Sequence, residues 1–208
     1  FFSNLNGTTG SVIFMSPGTT IDLNGFDQEF GNISAVNPSN SFQFSAGTIN
    51  LGSATLTVGR EDSSQTYNGH INGGVGSTLV KVGAGRLTLD NINGNRPSTV
   101  DTIRIDRGVL ATWVNDNSLA TPTGHASAIP STATIVLRGG EWEVRTIGDS
   151  TGNQQRIAIG NNVVVQGGNS IIDLNRPSGA GSNKLITLGT LALDKNQLLI
   201  TGGNTYIP

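Results

Sequence analysis

The sequence predicts an all-β protein built as a parallel β-solenoid, and three observations carry that prediction. Apolar and polar residues alternate with period two over many short segments, the pattern of half-buried strands. Gly, Asn or Asp interrupts nearly every gap, where turns need residues that tolerate left-handed backbone. No segment carries the i, i+3, i+4, i+7 apolar stripe of a helix over three turns.

The expected strands follow in chain order. The first, 20–23, ends at the turn pair Asn24-Gly25. Segments 48–51 and 54–58 flank Gly52, and 79–82 and 86–89 flank Gly83 and Gly85. Next come 102–105 and 109–111. The second half adds 134–137, 141–144, 156–159, 163–165, 171–174, 184–188, 191–193 and 198–201. Each is about 3–5 residues, near the short end of normal strands. The one helix candidate, 116–128, is interrupted by Pro122 and Gly124 and reads as a loop. Sandwiches and up-and-down barrels prefer longer strands joined by hairpins. Here strand pairs recur at roughly 20–25-residue intervals, as in Leu79/Leu87 and then Ile103/Val109. One coil of a solenoid has that length, so a single domain over 1–208 makes roughly eight to ten coils. Corner residues Asn24, Asn72, Asn91 and Asn93 either stack in hydrogen-bonded ladders or serve as left-handed turn residues.

Composition narrows the function. The 208 residues include 29 Gly and no Cys, and only 12% are charged, about half the usual ~25%. Without cysteine there are no disulfides, thiolate metal sites, iron–sulfur clusters or cysteine nucleophiles. A net charge of −2 and a pI near 5.6 leave no electrostatic footprint for nucleic acid. No run of 18 apolar residues exists, so no helical membrane span is expected. Low lysine with abundant Asn and Thr resembles secreted bacterial proteins more than cytosolic enzymes. The opening Phe1-Phe2-Ser3-Asn4 has neither an initiator Met nor a basic-then-apolar signal region. It fits a fragment and a processed mature chain equally.

Residues 69–111 hold the most specific pattern. Leu79, Lys81, Gly83, Gly85, Leu87 and Leu89 form a complete Leu-x-Lys-x-Gly-x-Gly-x-Leu-x-Leu run, continued by Ile103, Ile105, Gly108 and Leu110. This stretch resembles the autotransporter-associated β-strand repeat, also called the passenger-associated transport repeat. It departs from that family at Asn95-Arg96-Pro97-Ser98, where a Thr-Tyr-x-Gly segment is more usual. Weaker similarity covers 23–28, 47–59 and the closing 201–206. The resemblance implies a right-handed parallel β-helix on secreted or surface-displayed bacterial proteins, and it implies no catalytic residues. On physical grounds Gly83 and Gly85 allow tight bends where a side chain would clash with the next coil. Leu79, Leu87 and Leu89 are expected to point inward. Lys81 is expected to point outward, its stem covering a neighbouring coil.

Candidate chemistry is sparse. The carboxylates are scattered along the chain. Glu141 and Glu143 share a strand face around Trp142, and a solvated outer face is expected there rather than a glycosidase pair. Asp101, Arg104, Asp106 and Arg107 alternate in sign and read as surface pairing. His70 and His125 are the only histidines, and nothing in their spacing points to a metal site. The run Gly73-Gly74-Val75-Gly76 lacks the Lys-Ser/Thr of a phosphate loop. Trp113 and Trp142 are expected to cap an edge or pack under a loop more than to stack on sugars. The loop 115–131 is the longest excursion and the best place for binding.

Neither end resembles a cap, with apolar Phe1, Phe2 and Leu5 at the start and Tyr206 and Ile207 at the close. The expectation is end-to-end self-association into a homopolymer, or continuation of a longer solenoid, with glycan or cell-surface contact as a further partner. Together these features predict a non-enzymatic structural module without cofactors, extracellular or on a bacterial cell surface. Scaffold, stalk, adhesin and filament subunit are its expected forms. The rival class is a carbohydrate-binding or polysaccharide-cleaving β-helix, which requires two carboxylates within catalytic range on one sheet.

Overall fold

Alternating segments this short cannot bury themselves singly, so each must lie on a neighbour. The computed structural model describes residues 11–35, 47–90, 98–115, 126–146, 155–175 and 184–202. Within them the chain is all-β, with no helix. The first pass comprises β1 (Val12–Met15), β2 (Thr20–Asp22) and β3 (Gln28–Phe30). The second comprises β4 (Asn32–Ala35), β5 (Thr48–Gly52) and β6 (Thr55–Val58). The third comprises β7 (Gln65–Tyr67), β8 (His70–Gly73) and β9 (Thr78–Lys81). The fourth holds β10 (Arg86–Leu89) and β11 (Thr102–Ile105). The fifth holds β12 (Val109–Asn115), β13 (Ala126–Ser127) and β14 (Thr134–Arg138). The sixth is β15 (Glu141–Thr146), β16 (Gln155–Ala158) and β17 (Val163–Gly167). The seventh is β18 (Asn169–Asn175), β19 (Lys184–Thr187) and β20 (Leu191–Ala192), and β21 (Gln197–Gly202) follows.

Each pass returns to the same sheets. One runs β3-β6-β9-β11-β14-β17-β20, a second β7-β10-β12-β15-β18-β21, and a third β2-β5-β8. Two further pairs, β1–β4 and β16–β19, complete the set. Every described pairing is parallel except β12 with β13. The strand spacing in sequence varies from 20 residues, Val12 to Asn32, to 32, Val109 to Glu141. The later passes are therefore longer than the expected interval.

Register turns the period-two alternation into continuous columns. Leu56, Leu79, Ile103, Ile135 and Val163 are successive partners, all fully buried. Leu87, Leu110, Trp142 and Ile172 form a second column. Each aliphatic contributes ~1.5–3 kcal/mol by leaving water, and the columns join into one core cluster. Trp142 belongs to that core and neither caps an edge nor packs under a loop. Its indole N–H donates to Thr112 Oγ1 at 3.0 Å, which satisfies the one polar atom it buries.

All the strands expected from alternation are present. Strands β1, β3, β4, β7, β8 and β13 were not expected. Segments such as Gln65-Thr66-Tyr67 are short and polar, and they pair because β10 presents a matching edge. Asn24 is a left-handed turn residue, with φ near 50°. Asn72 instead stacks, its amide donating to Asn50 Oδ1 of the preceding pass at 3.2 Å. Asn91 and Asn93 lie outside the described residues.

Candidate functional site

The repeat motif forms a bend between β9 and β10. Gly83 has φ +71°, and a Cβ there would overlap the carbonyl oxygen of Gly59 on the pass before. A Cβ at Gly85 would overlap the carbonyls of Ser63 and Asp62 in the same way. The clash is thus with the preceding pass, not the next. Gly108 continues the stack, closing on the carbonyls of Gly83 and Gly85. Leu79, Leu87, Leu89 and Leu110 all point into the core.

Lys81 overturns its expected orientation. It lies in register between Val58 and Ile105, in an inward column, and is fully buried. Its ammonium donates to the carbonyl oxygens of Val82, Gly83 (2.9 Å) and Arg107 (3.3 Å). Three backbone acceptors replace its water shell. Burial pushes its pKa down to about 8, with Asp62 opposing and Arg107 assisting the shift.

The second constellation lies on the outward face of β15 and β18. Glu143 and Asp173 are register partners, and Glu141 is two residues before Glu143 on the same face. Carboxylate oxygens of Glu141, Glu143 and Asp173 all lie within 4.8 Å of one another. The carboxylates are therefore not all scattered, and Glu143 is not on a solvated face, being only 1% exposed. Arg86 of β10 hydrogen-bonds Glu143 Oε2. Arg145 Nε pairs with Glu143 Oε1 at 3.1 Å, without the alignment of a hydrogen bond. Arg145 also lies over the Trp113 ring, 5.5 Å from its centroid. Asp173 accepts from Thr201 Oγ1 at 2.6 Å and from Asn175 Nδ2 at 3.2 Å. Burial raises the pKa of Glu141, helped by Asp173 and Glu143 and opposed by Arg86.

Three carboxylates against two guanidiniums leave one net negative charge. Burial and the neighbouring carboxylates favour the neutral form of Glu141 over its anion. Asp173, Arg86 and Arg145 were not singled out from sequence. The signal that finds Asp173 is register: it follows Glu143 by 30 residues, as Ile171 follows Glu141.

The remaining candidates stay apart. Trp113 is buried beneath Arg145. His70 is buried on β8, and His125 lies outside the described residues. Arg104 pairs with Asp106, just past the end of β11, at 2.9 Å, as expected of surface pairing. Of the loop 115–131, residues 116–125 lie outside the described residues, and β13 falls in the part that is described. Phe1, Phe2, Leu5, Tyr206 and Ile207 also lie outside the described residues.

No protein-family profile matches the chain, and searches of curated proteins and of solved structures find no similar protein.

Proposed function

We propose that the chain is a right-handed parallel β-solenoid of the passenger-associated repeat type. It serves as a non-enzymatic structural module of a secreted or cell-surface bacterial protein, as scaffold, stalk, adhesin or filament subunit. Seven passes and the opening strand of an eighth would make its coils, fewer than the upper expectation because the later coils are longer. The observation that carries this reading is the unbroken aliphatic column from Leu56 to Val163. In such a stack each coil supports its neighbours, and stiffness grows with length. The buried Lys81 and the glycine bend serve that stack. Digestion of the folded chain with proteinase K tests the reading. A resistant core spanning most of the described residues is expected, and rapid loss of all bands contradicts it.

A second reading is a polysaccharide-binding or polysaccharide-cleaving face. The convergence of Glu141, Glu143 and Asp173 on one sheet favours it. An acid–base pair needs two carboxyls close together on one face, and these lie within 4.8 Å of one another. Release of reducing ends from acidic and neutral polysaccharides, lost in Glu141→Gln, would establish it. No release from any of them leaves the structural reading in place.

A further inference from the structure

One outer face of the stack repeats a single residue. The sheet containing β6, β9, β11 and β14 turns Leu56, Leu79, Ile103 and Ile135 into the core, so the residue before each of them faces outward. Those residues are Thr55, Thr78, Thr102 and Thr134, successive register partners on the four strands. All four are half-buried. The coil lengthens between Thr102 and Thr134, yet the column keeps its register. Strand preference alone does not select threonine four times. The other outward column of the same strands reads Thr57, Val80, Arg104 and Val136, with no such repeat.

The hydroxyls of this column are left for solvent. Among the described residues, none of the four makes a side-chain hydrogen bond to the protein. The next positions of the column, Asn162 and Thr190, do bond each other, Thr190 Oγ1 donating to Asn162 Oδ1 at 2.9 Å. We propose that the face carrying Thr55, Thr78, Thr102 and Thr134 binds crystalline water, the surface of ice. Neighbouring strands lie about 4.8 Å apart, so the hydroxyls recur at that interval, which is close to a repeat of the oxygens in ice. Each threonine sets a methyl beside its hydroxyl, so a bound water is both hydrogen-bonded and confined. The sheet fixes the array before contact, which limits the ordering cost of binding. The chemistry of the two columns disfavours other extended lattices. They hold no aromatic ring for a sugar chain, and their one charge, Arg104, is paired with Asp106. The inference goes beyond the structural reading and needs only the stacked sheet.

Partition into slowly grown ice tests the proposal, since ice rejects ordinary solutes into the remaining liquid. The full chain is expected to be enriched in the ice fraction and to hold a gap between the melting and freezing points of a seeded crystal. Thr102→Tyr raises a ring above the column at a strand position that accepts aromatics, and is expected to lose both effects. Val75→Tyr, on an exposed turn away from the column, is expected to keep both. Thermal unfolding accompanies each variant, and Thr134→Tyr stands in for Thr102→Tyr if that variant does not fold. Exclusion of the native chain from ice, with no freezing gap, overturns the proposal without recourse to any variant. Equal enrichment of folded Thr102→Tyr and the native chain overturns the assignment to this face. Retention of the native chain on insoluble cellulose or chitin, together with exclusion from ice, overturns it in favour of a polysaccharide.

Discussion

The Nζ of Lys81 donates to the carbonyl oxygen of Gly83 at 2.9 Å, so the cation of the repeat sits inside the bend made by its own glycine. Val82 and Arg107 supply the other two acceptors, the latter from the following pass. One side chain thereby ties two successive passes at the corner. Replacement of Lys81 by Met keeps the stem and leaves these carbonyls without their donor. A loss of about 1–3 kcal/mol in urea unfolding is expected; an unchanged midpoint would remove Lys81 from the account of the corner.

The same residue sets a pH dependence. Its pKa falls from 10.5 in the unfolded chain to about 8 in the folded one. The unfolded state therefore binds more protons between those values, and stability rises with pH across them. The thermal midpoint of the native chain, measured against Lys81→Met, is expected to climb between pH 8 and 10.5. A flat difference over that window contradicts the buried ammonium.

Gly83→Ala forces a methyl onto the Gly59 carbonyl at a positive φ. The expected cost is about 2–4 kcal/mol, read as a lower unfolding midpoint with an unchanged slope. Ala84→Ser, at the exposed neighbouring position, is the control and is expected to stay within about 0.5 kcal/mol.

Glu143 is the buried anion between two arginines. Glu143→Gln keeps its shape and removes its charge, leaving Arg86 and Arg145 facing an amide. Because Arg86 remains partly open to water, the expected loss is about 1–3 kcal/mol. A double-mutant cycle with Arg86→Met isolates the pair, and a coupling of zero would discard it.

Glu141 behaves in the opposite sense. Its pKa is raised on folding from 4.5, so its carboxylate is disfavoured in the folded chain. The matching stability is present below pH 4.5 and is lost as pH rises through the raised value. Glu141→Gln is therefore expected to melt higher than the native chain at neutral pH, with the gain vanishing below 4.5. A variant that melts lower at pH 7 would show that Glu141 has a stabilising partner.

Much of this architecture is legible in the residues themselves. Alternation locates Leu79, Ile103 and Ile135 as strand residues, and glycines locate the bends. Lys81 is the instructive exception. Period two places it on the same face as Leu79, two residues earlier, and only its charge argues for the outside. Backbone carbonyls from the Gly83 bend make the inside tolerable, and no sequence pattern displays them. The acidic group was hidden for another reason. Glu143 and Asp173 meet through a 30-residue register, and a regular 20–25-residue coil places other residues opposite each other.

The central claim is that successive passes lie parallel and in register. Amide–amide nuclear Overhauser contacts in the deuterated, full-length protein test it most directly. Cross-strand contacts linking the Ile103 region to both Leu79 and Ile135 are predicted, with the same strand direction on each side. Contacts pairing 79–82 with 86–89 as an antiparallel hairpin would contradict the account.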